Sequence, residues 1–507
     1  MTLRTLARVA HEDPHNRTVI ANTHPPGWTN PEPRGRYNMV VLGGGTAGLV
    51  SAAGAAILGA KVALVERHLM GGDCLNTGCV PSKGLIRAAR AAAMLHHAGE
   101  FGIHTGAGTV DFERVMERVR RVRAEISYHD SIERFQRLGV EIFLGHARFG
   151  GPDWVEVDGQ RLRFKKAVIA TGARPMALPI DGLEAAGYLT NETAFDLTEL
   201  PRSLLVVGGG PIGAELAQAL ARLGSQVTLA EMMPRFLPNE DPDAAALLAG
   251  ALERDGVVLR LSTTLGHVEG AADGKRCKLT HEGVEETLTV DEILIGVGRR
   301  PNVEDLGLER VGVEYDVRRG VHVNDRLQTS NRRIYAAGDV TLKHKFTHTA
   351  DAAARIVLQN ALFFGRKKLS SLTVPWCTYT SPEVAHVGLC ERDAQERGVP
   401  LETIRVAMGD VDRAIIDGND EGFVKVHLKK GTDRILGATI VGAHAGELIS
   451  ELSLAMVHGV GLGGISKVIH PYPTQAEAIR RAADEYNRRR LTPRRKKLLT
   501  RWFAMRR

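Results

Sequence analysis

The chain has 507 residues, 43% hydrophobic and 25% charged, which is more than a single hydrophobic core supports and excludes a disordered or fibrous polypeptide. Its five cysteines are too few for a disulfide scaffold, and they lack the second paired cluster that a zinc site needs. The net charge of +7 is local, because Arg480 to Arg507 holds twelve Lys and Arg against Asp484 and Glu485. The remainder is slightly acidic, so no nucleic-acid partner is expected for the body of the protein.

Residues 1–36 contain Pro25, Pro26, Pro31 and Pro33 and no apolar run long enough for a signal peptide, and they read as a flexible leader. Met39 to Ala60 is uncharged and long enough to span a bilayer. Its glycines and its strand-turn-helix punctuation argue instead for a buried βαβ unit, and the protein reads as cytoplasmic. In that unit an apolar strand, Tyr37 to Leu42, runs into Gly43-Gly44-Gly45-Thr46-Ala47-Gly48. An alanine-rich helix follows, and a second strand, Lys61 to Glu66, ends on the acid. Gly43, Gly45 and Gly48 let the backbone approach a pyrophosphate at a helix N-terminus, and Glu66 is placed for a ribose hydroxyl.

Directly afterwards comes Gly71-Gly72-Asp73-Cys74-Leu75-Asn76-Thr77-Gly78-Cys79-Val80-Pro81-Ser82-Lys83. A thiol pair there suggests that electrons leave a bound flavin through sulfur. The nucleotide pattern then recurs: Gly208, Gly210 and Gly213 follow the strand Ser203 to Val207, and Glu231 stands as far beyond Gly208 as Glu66 does beyond Gly43. Two dinucleotides are therefore expected, most economically FAD and a nicotinamide. A carboxylate at Glu231 bonds the 2′-hydroxyl of NADH and repels a 2′-phosphate. Arg235 nearby softens that preference, which leaves NADPH open.

Ala170-Thr171-Gly172-Ala173-Arg174-Pro175 and Gly296-Val297-Gly298-Arg299-Arg300-Pro301 are near-copies, and they read as the exits from the two nucleotide modules. Asp339, at the end of Ile334 to Asp339, is placed to hold hydroxyls of a flavin's ribityl chain, a helix N-cap being the plainer alternative.

The order of first glycine turn, G-G-x-C-x-x-x-x-C-V-P-S-K, second glycine turn and A-A-G-D resembles the class I pyridine nucleotide-disulfide oxidoreductases over roughly residues 38 to 480. The resemblance implies an α/β fold with two Rossmann-like domains, the NAD domain inserted in the FAD domain, and an α+β C-terminal dimerisation domain. The expected boundaries are leader 1–36, FAD-binding 37–185, NAD(P)-binding 186–300, FAD-binding again 301–369, dimerisation 370–480 and basic tail 481–507. It further implies a homodimer with an active site shared across the interface, and a redox-active Cys74–Cys79 disulfide. Cys79 would face the flavin and Cys74 would meet substrate, while Lys83 would pair with an acid near the flavin, a role that Glu215 fits.

The final motif discriminates among relatives. Dithiol-disulfide members carry a His-Pro-Thr with a Glu five residues after the histidine, and the imidazole shuttles the thiol proton. Here Ile469-His470-Pro471-Tyr472-Pro473-Thr474-Gln475-Ala476-Glu477 keeps the acid, Glu477, but puts Tyr472 where the histidine would be. A phenol with a pKa near ~10 is a poor base at neutral pH. Tyrosine at this place is similar to the mercuric-reductase-like branch, where thiolates hold a soft cation and no proton shuttle is needed.

The acceptor is thus expected to be a soft metal ion or a small oxidant, with a dihydrolipoamide-dehydrogenase-type reaction as the alternative. No cysteine follows Cys390 and none lies in residues 1–36, so the terminal cysteine pair and N-terminal metal-binding domain of mercuric reductases have no counterpart. His470 could substitute as a base, although a structural histidine at the interface is the commoner case. The tail, with Trp502 and Phe503 among its cations, reads as a solvated helix or as a contact with anionic lipid, the latter in a redox-sensing or tethered protein.

Overall fold

The uncharged stretch after Arg36 folds as strand, turn and helix because its apolar residues bury on both faces of a sheet, against helices on one and against Phe149, Val155 and Leu308 on the other. In the structure, a computed structural model that describes residues 12–104, 106 and 108–506, Arg36–Leu42 lies parallel between Val62–Glu66 and Gln160–Ile169. Val140–Leu144 adds on the outer side of Val62–Glu66. Every residue of Val62–Glu66 is buried, as expected for a parallel sheet covered on both faces. The helices Thr46–Ile57 and Thr347–Leu362 contribute to one cluster against this sheet, through Ala52, Ala55, Ala353 and Val357.

Two compact units make up the chain. The first comprises Met1–Met232 and Ser262–Leu372, the second Met233–Leu261 and Thr373–Arg507. Within the first, a second parallel set forms around Ser203–Val207, flanked by Gln226–Ala230 and Glu292–Ile295. After it the chain returns to the first sheet, where Ile334–Ala336 pairs in parallel with Gln160–Ile169. One nucleotide module is thereby inserted in the other. The near-copy segments pair with each other, Ala173–Pro175 antiparallel to Arg299–Pro301.

The second unit is built on a five-stranded antiparallel sheet in the order Pro375–Thr378, Glu383–Gly388, Ile435–Gly442, Phe423–Lys429, Leu401–Ala407. Helices Ala445–Val457 and Glu477–Arg489 bury Ile449, Leu452, Ile479 and Ala482 in its core. The helix Pro242–Arg254 joins this unit through polar groups. Lys425, 3% exposed, donates to Asp241 at 2.9 Å and Asp243 at 2.6 Å. Thr439 donates to Asp241 at 3.0 Å and Trp376 to Glu240 at 2.7 Å. Burial pushes the Glu240 carboxyl up to about 7. Against the same effect of burial, hydrogen bonds from His427 and Lys425 hold Asp241 well below the usual carboxylate range.

One expectation about boundaries changes, that of the leader. Residues 233–261 carry Val258–Arg260, the outer strand of the sheet around Ser203–Val207, and the polar groups at 240–243 that meet Lys425, Thr439 and Trp376. The leader expected to be flexible over residues 1–36 contains a packed helix, Pro14–Thr23. Asp13 caps it by accepting from Asn16 N at 2.8 Å, Val19 is fully buried beside Leu69 and Ala124, and Asn22 donates to Ser127 at 2.8 Å. Residues 1–11 of that leader lie outside the described residues. Among the described residues no helix is long and apolar enough to cross a membrane.

Candidate redox active site

Each glycine turn is closed by the acid at the end of the following strand. Glu66 Oε2 accepts from Gly44 N at 2.6 Å and Glu231 Oε2 from Gly209 N at 2.7 Å. Gly43 and Gly208 take φ of 107° and 110°, values that favour glycine. A Cβ on Gly48 would lie 1.8 Å from Gly43 O, and one on Gly213 would lie 2.0 Å from Gly208 O. The cap residues Gly45 and Gly210 make no side-chain hydrogen bond to their helices. Both helix N-termini therefore present amide donors and a positive dipole end, the setting a pyrophosphate takes.

The cysteine pair follows the first module. Gly71, in the left-handed region at φ 94°, starts the short helix Gly72–Asn76, and Cys79 begins the 19-residue helix Cys79–His97. Both cysteines are free thiols. Cys79 Sγ lies 3.3 Å from Thr347 Oγ1. The hydrogen bond from Cys74, the Thr347 hydroxyl and the Lys83 cation bring the Cys79 thiol down to about 6. Donating that bond, together with burial, raises the Cys74 thiol. The pair thus holds one proton on Cys74 and an anion on Cys79, at a helix N-terminus that favours negative charge.

Lys83 lies one turn along the same helix and donates to Glu215 Oε2 at 2.8 Å. Glu215 is buried and stands in the helix Pro211–Leu223, which begins at the second glycine turn. That ion pair joins the thiol helix to the second nucleotide module.

Asp73, beside Cys74, is a hub. It accepts from Thr77 Oγ1 at 2.7 Å, Asn191 at 3.2 Å and Arg299 at 3.0 Å. Arg299, with its side chain 11% exposed, also approaches Asp339 at 3.6 Å. Burial raises the Asp339 carboxyl, and Arg299 and Lys345 oppose that rise. Thr171 donates to Asn302 O at 2.7 Å, Asn302 Nδ2 to Thr171 O at 2.9 Å, and Asn302 N to Gly172 O at 3.0 Å. Met176 N donates to Gly298 O at 3.0 Å.

Tyr472 and Glu477 belong to the second unit. The Tyr472 hydroxyl donates to Asp412 at 2.9 Å, and that bond raises the phenol's pKa. Arg481 links Asp412, at 3.2 Å, to Glu477, at 3.1 Å. Tyr472 and Glu477 thus meet through Asp412 and Arg481 and share no hydrogen bond of their own. His470 is buried, its Nε2 2.9 Å from Glu451 and its Nδ1 3.2 Å from Val468 O.

Thr347, Asp73, Asn191, Arg299 and Asp412 escape sequence reasoning. Thr347 is 268 residues from Cys79, and nothing local marks it. Arg299 had one signal, its place in the second of two near-copies.

A pyridine nucleotide-disulphide oxidoreductase family model matches residues 37–354, and the family's dimerisation domain matches 374–483. A mercuric reductase of Lysinibacillus sphaericus is 36% identical over 447 residues, 88% of this chain and 82% of its own. A dihydrolipoyl dehydrogenase of Thermus scotoductus is 37% identical over 466 residues, 88% of this chain and 97% of its own. Among solved structures, the Cu(II) complex of the HOCl-induced flavoprotein disulfide reductase RclA from Escherichia coli superposes with a TM-score of 0.78 at 28% identity, covering 89% of this chain and 99% of that one. LpdA from Mycobacterium tuberculosis gives 0.81 at 28% identity, covering 88% and 99%. Members of this family use FAD and NAD(P)H, and the two uncapped helix N-termini behind crowded glycine turns fit two such dinucleotides. With the glycine turns, the thiol pair and both matched domains in one polypeptide, the chain belongs to the class I pyridine nucleotide-disulphide oxidoreductases.

Proposed function

We propose that the protein is a homodimeric reductase that passes electrons from NADH through its Cys74–Cys79 pair to a soft metal ion, mercury(II) or copper(II), or to a small oxidant. FAD held at the first glycine turn would supply the two-electron chemistry that connects a nicotinamide to sulfur. The turns at Gly43, Gly45 and Gly48 and at Gly208, Gly210 and Gly213 hold the two pyrophosphates, with Glu66 and Glu231 at the riboses and Asp339 at the ribityl hydroxyls. Thr171, Gly172 and Gly298 line the exits of the modules.

Reduction of the disulfide consumes two electrons and one proton and leaves Cys74 as thiol and Cys79 as thiolate, the thiolate favoured by Thr347 and Lys83. Loss of the Cys74 proton as a soft dication arrives gives two thiolates on one metal ion. Their return to the disulfide supplies two electrons, which take one mercury(II) to oxidation state zero or two copper(II) ions to copper(I).

The observation that carries the choice of acceptor is Tyr472, a phenol held protonated by Asp412 where a proton-shuttling imidazole would stand. His470, a neighbouring alternative, has both ring nitrogens engaged, Nε2 with Glu451 and Nδ1 with Val468 O. The mercuric reductase relative and the Cu(II) complex of RclA agree with this reading. The dihydrolipoyl dehydrogenase at 37% identity favours the second reading, a dithiol dehydrogenase. The test offers NADH with mercury(II), copper(II), lipoamide or oxidised glutathione in parallel. Metal reduction faster than lipoamide reduction, and lost in Cys74→Ala, is expected; fast lipoamide turnover would reverse the assignment.

A further inference from the structure

The helix Pro493–Ala504 buries none of its residues. It is nevertheless two-sided. At ~100° per residue Leu498, Leu499, Trp502, Phe503 and, just beyond it, Met505 fall within an arc of roughly 160°. These five side chains are 69%, 42%, 48%, 60% and 75% exposed. Lys496, Lys497, Arg501 and Arg494 occupy the opposite arc. Arg495 and Arg506 fall within the apolar arc: Arg495 donates to Arg490 O at 3.1 Å and the Arg506 guanidinium lies 4.6 Å over the Trp502 ring, and long arginine stems of this kind lie along apolar surface while keeping the charge at headgroup level.

No carboxylate lies in this helix, and no ion pair among the described residues involves Arg494, Lys496, Lys497 or Arg501. By contrast, Arg488 and Arg489 in the preceding helix both pair with Glu485 at 3.0 Å. An unpaired cationic face beside an exposed Leu/Trp/Phe edge with two arginines among it is the composition of a helix that lies in a bilayer interface, with its cations among anionic headgroups. Nucleic acid would match the charge but leave the leucine and aromatic edge in water.

We propose that Pro493–Ala504 docks the protein on anionic lipid bilayers, with Leu498, Trp502 and Phe503 entering the headgroup boundary and Arg494, Lys496, Lys497 and Arg501 pairing with lipid phosphates. The proposal is independent of the acceptor that the cysteine pair reduces.

The test floats the full-length FAD-loaded protein with phosphatidylcholine vesicles, either pure or containing about one-third phosphatidylglycerol. Partitioning at least about tenfold stronger on the anionic vesicles, and weaker as salt is raised, is expected. Trp502→Ser with Phe503→Ser leaves every charge in place and lowers that partitioning about tenfold or more, with turnover and oligomeric mass unchanged. Lys496→Glu with Lys497→Glu gives a similar loss. Equal binding to neutral vesicles, or undiminished binding by the serine pair, overturns the proposal. So does dissociation of the oligomer by the serine pair, which would make a second copy the cover of this face. Preference for a nucleic-acid duplex over anionic vesicles at the same salt overturns it as well.

Discussion

Cys79 begins a helix with Lys83 one turn further on, whereas Tyr472 stands on an exposed loop with the Asp412 carboxylate at its hydroxyl. The first setting stabilises an anion and the second a proton. A thiol near 6 is an electron donor and a metal ligand at neutral pH, while a phenol with its pKa raised is neither base nor ligand there. The difference teaches that one region is prepared for sulfur and electron chemistry and the other lacks the proton shuttle that dithiol substrates call for.

The comparison breaks most severely at the sulfur. Cys79→Ser is expected to lower NADH-dependent metal reduction by roughly 10³-fold or more in steady-state assays. Tyr472→His supplies the missing base, and lipoamide-dependent turnover should rise by about 10²-fold while metal reduction stays within a few-fold. A variant equally slow with lipoamide would mean that the phenol is not what sets the acceptor.

Alkylation of Cys79 by iodoacetamide sharpens the first half. Because its folded pKa is lowered, the thiolate dominates above about 6, and trapping should fall off as pH drops through that value. Removing the cation in Lys83→Met should move the profile up by about one pH unit. Glu215→Gln frees the Lys83 charge from its counter-ion and should move the profile down by about half a unit. The smallest effect belongs to Tyr472→Phe, which removes only a donor, and metal reduction should change by less than about threefold.

The parts legible in the sequence are those whose physics is local. A strand, a glycine turn and an acid at the end of the next strand specify one another within each module, and the turn geometry has little freedom once a Cβ is excluded from Gly48 and Gly213. Lys83 could be placed on the face of Cys79 by helical spacing alone. Asp73–Arg299 and Thr347–Cys79 could not, since the first pair joins positions 226 apart in the chain and the second positions 268 apart. The packed helix Pro14–Thr23 was hidden by a proline-rich sequel, and its burial depends on Leu69 and Ala124 far along the chain. The partners of Asp241 and Glu240, Lys425 and Trp376, lie far along the chain, and no local pattern announces them.

That last separation has a consequence for synthesis. Residues 233–261 leave the ribosome about 110 residues ahead of the sheet that completes their unit, which at ~5–20 residues per second is a wait of roughly 5–20 s. Throughout it Asp241 is without Lys425 and Glu240 is without Trp376. A chain released before Lys425 would keep the thiol pair yet leave the Asp241 and Asp243 carboxylates without their cation, so truncated translation products are expected to be less stable around Pro242–Arg254.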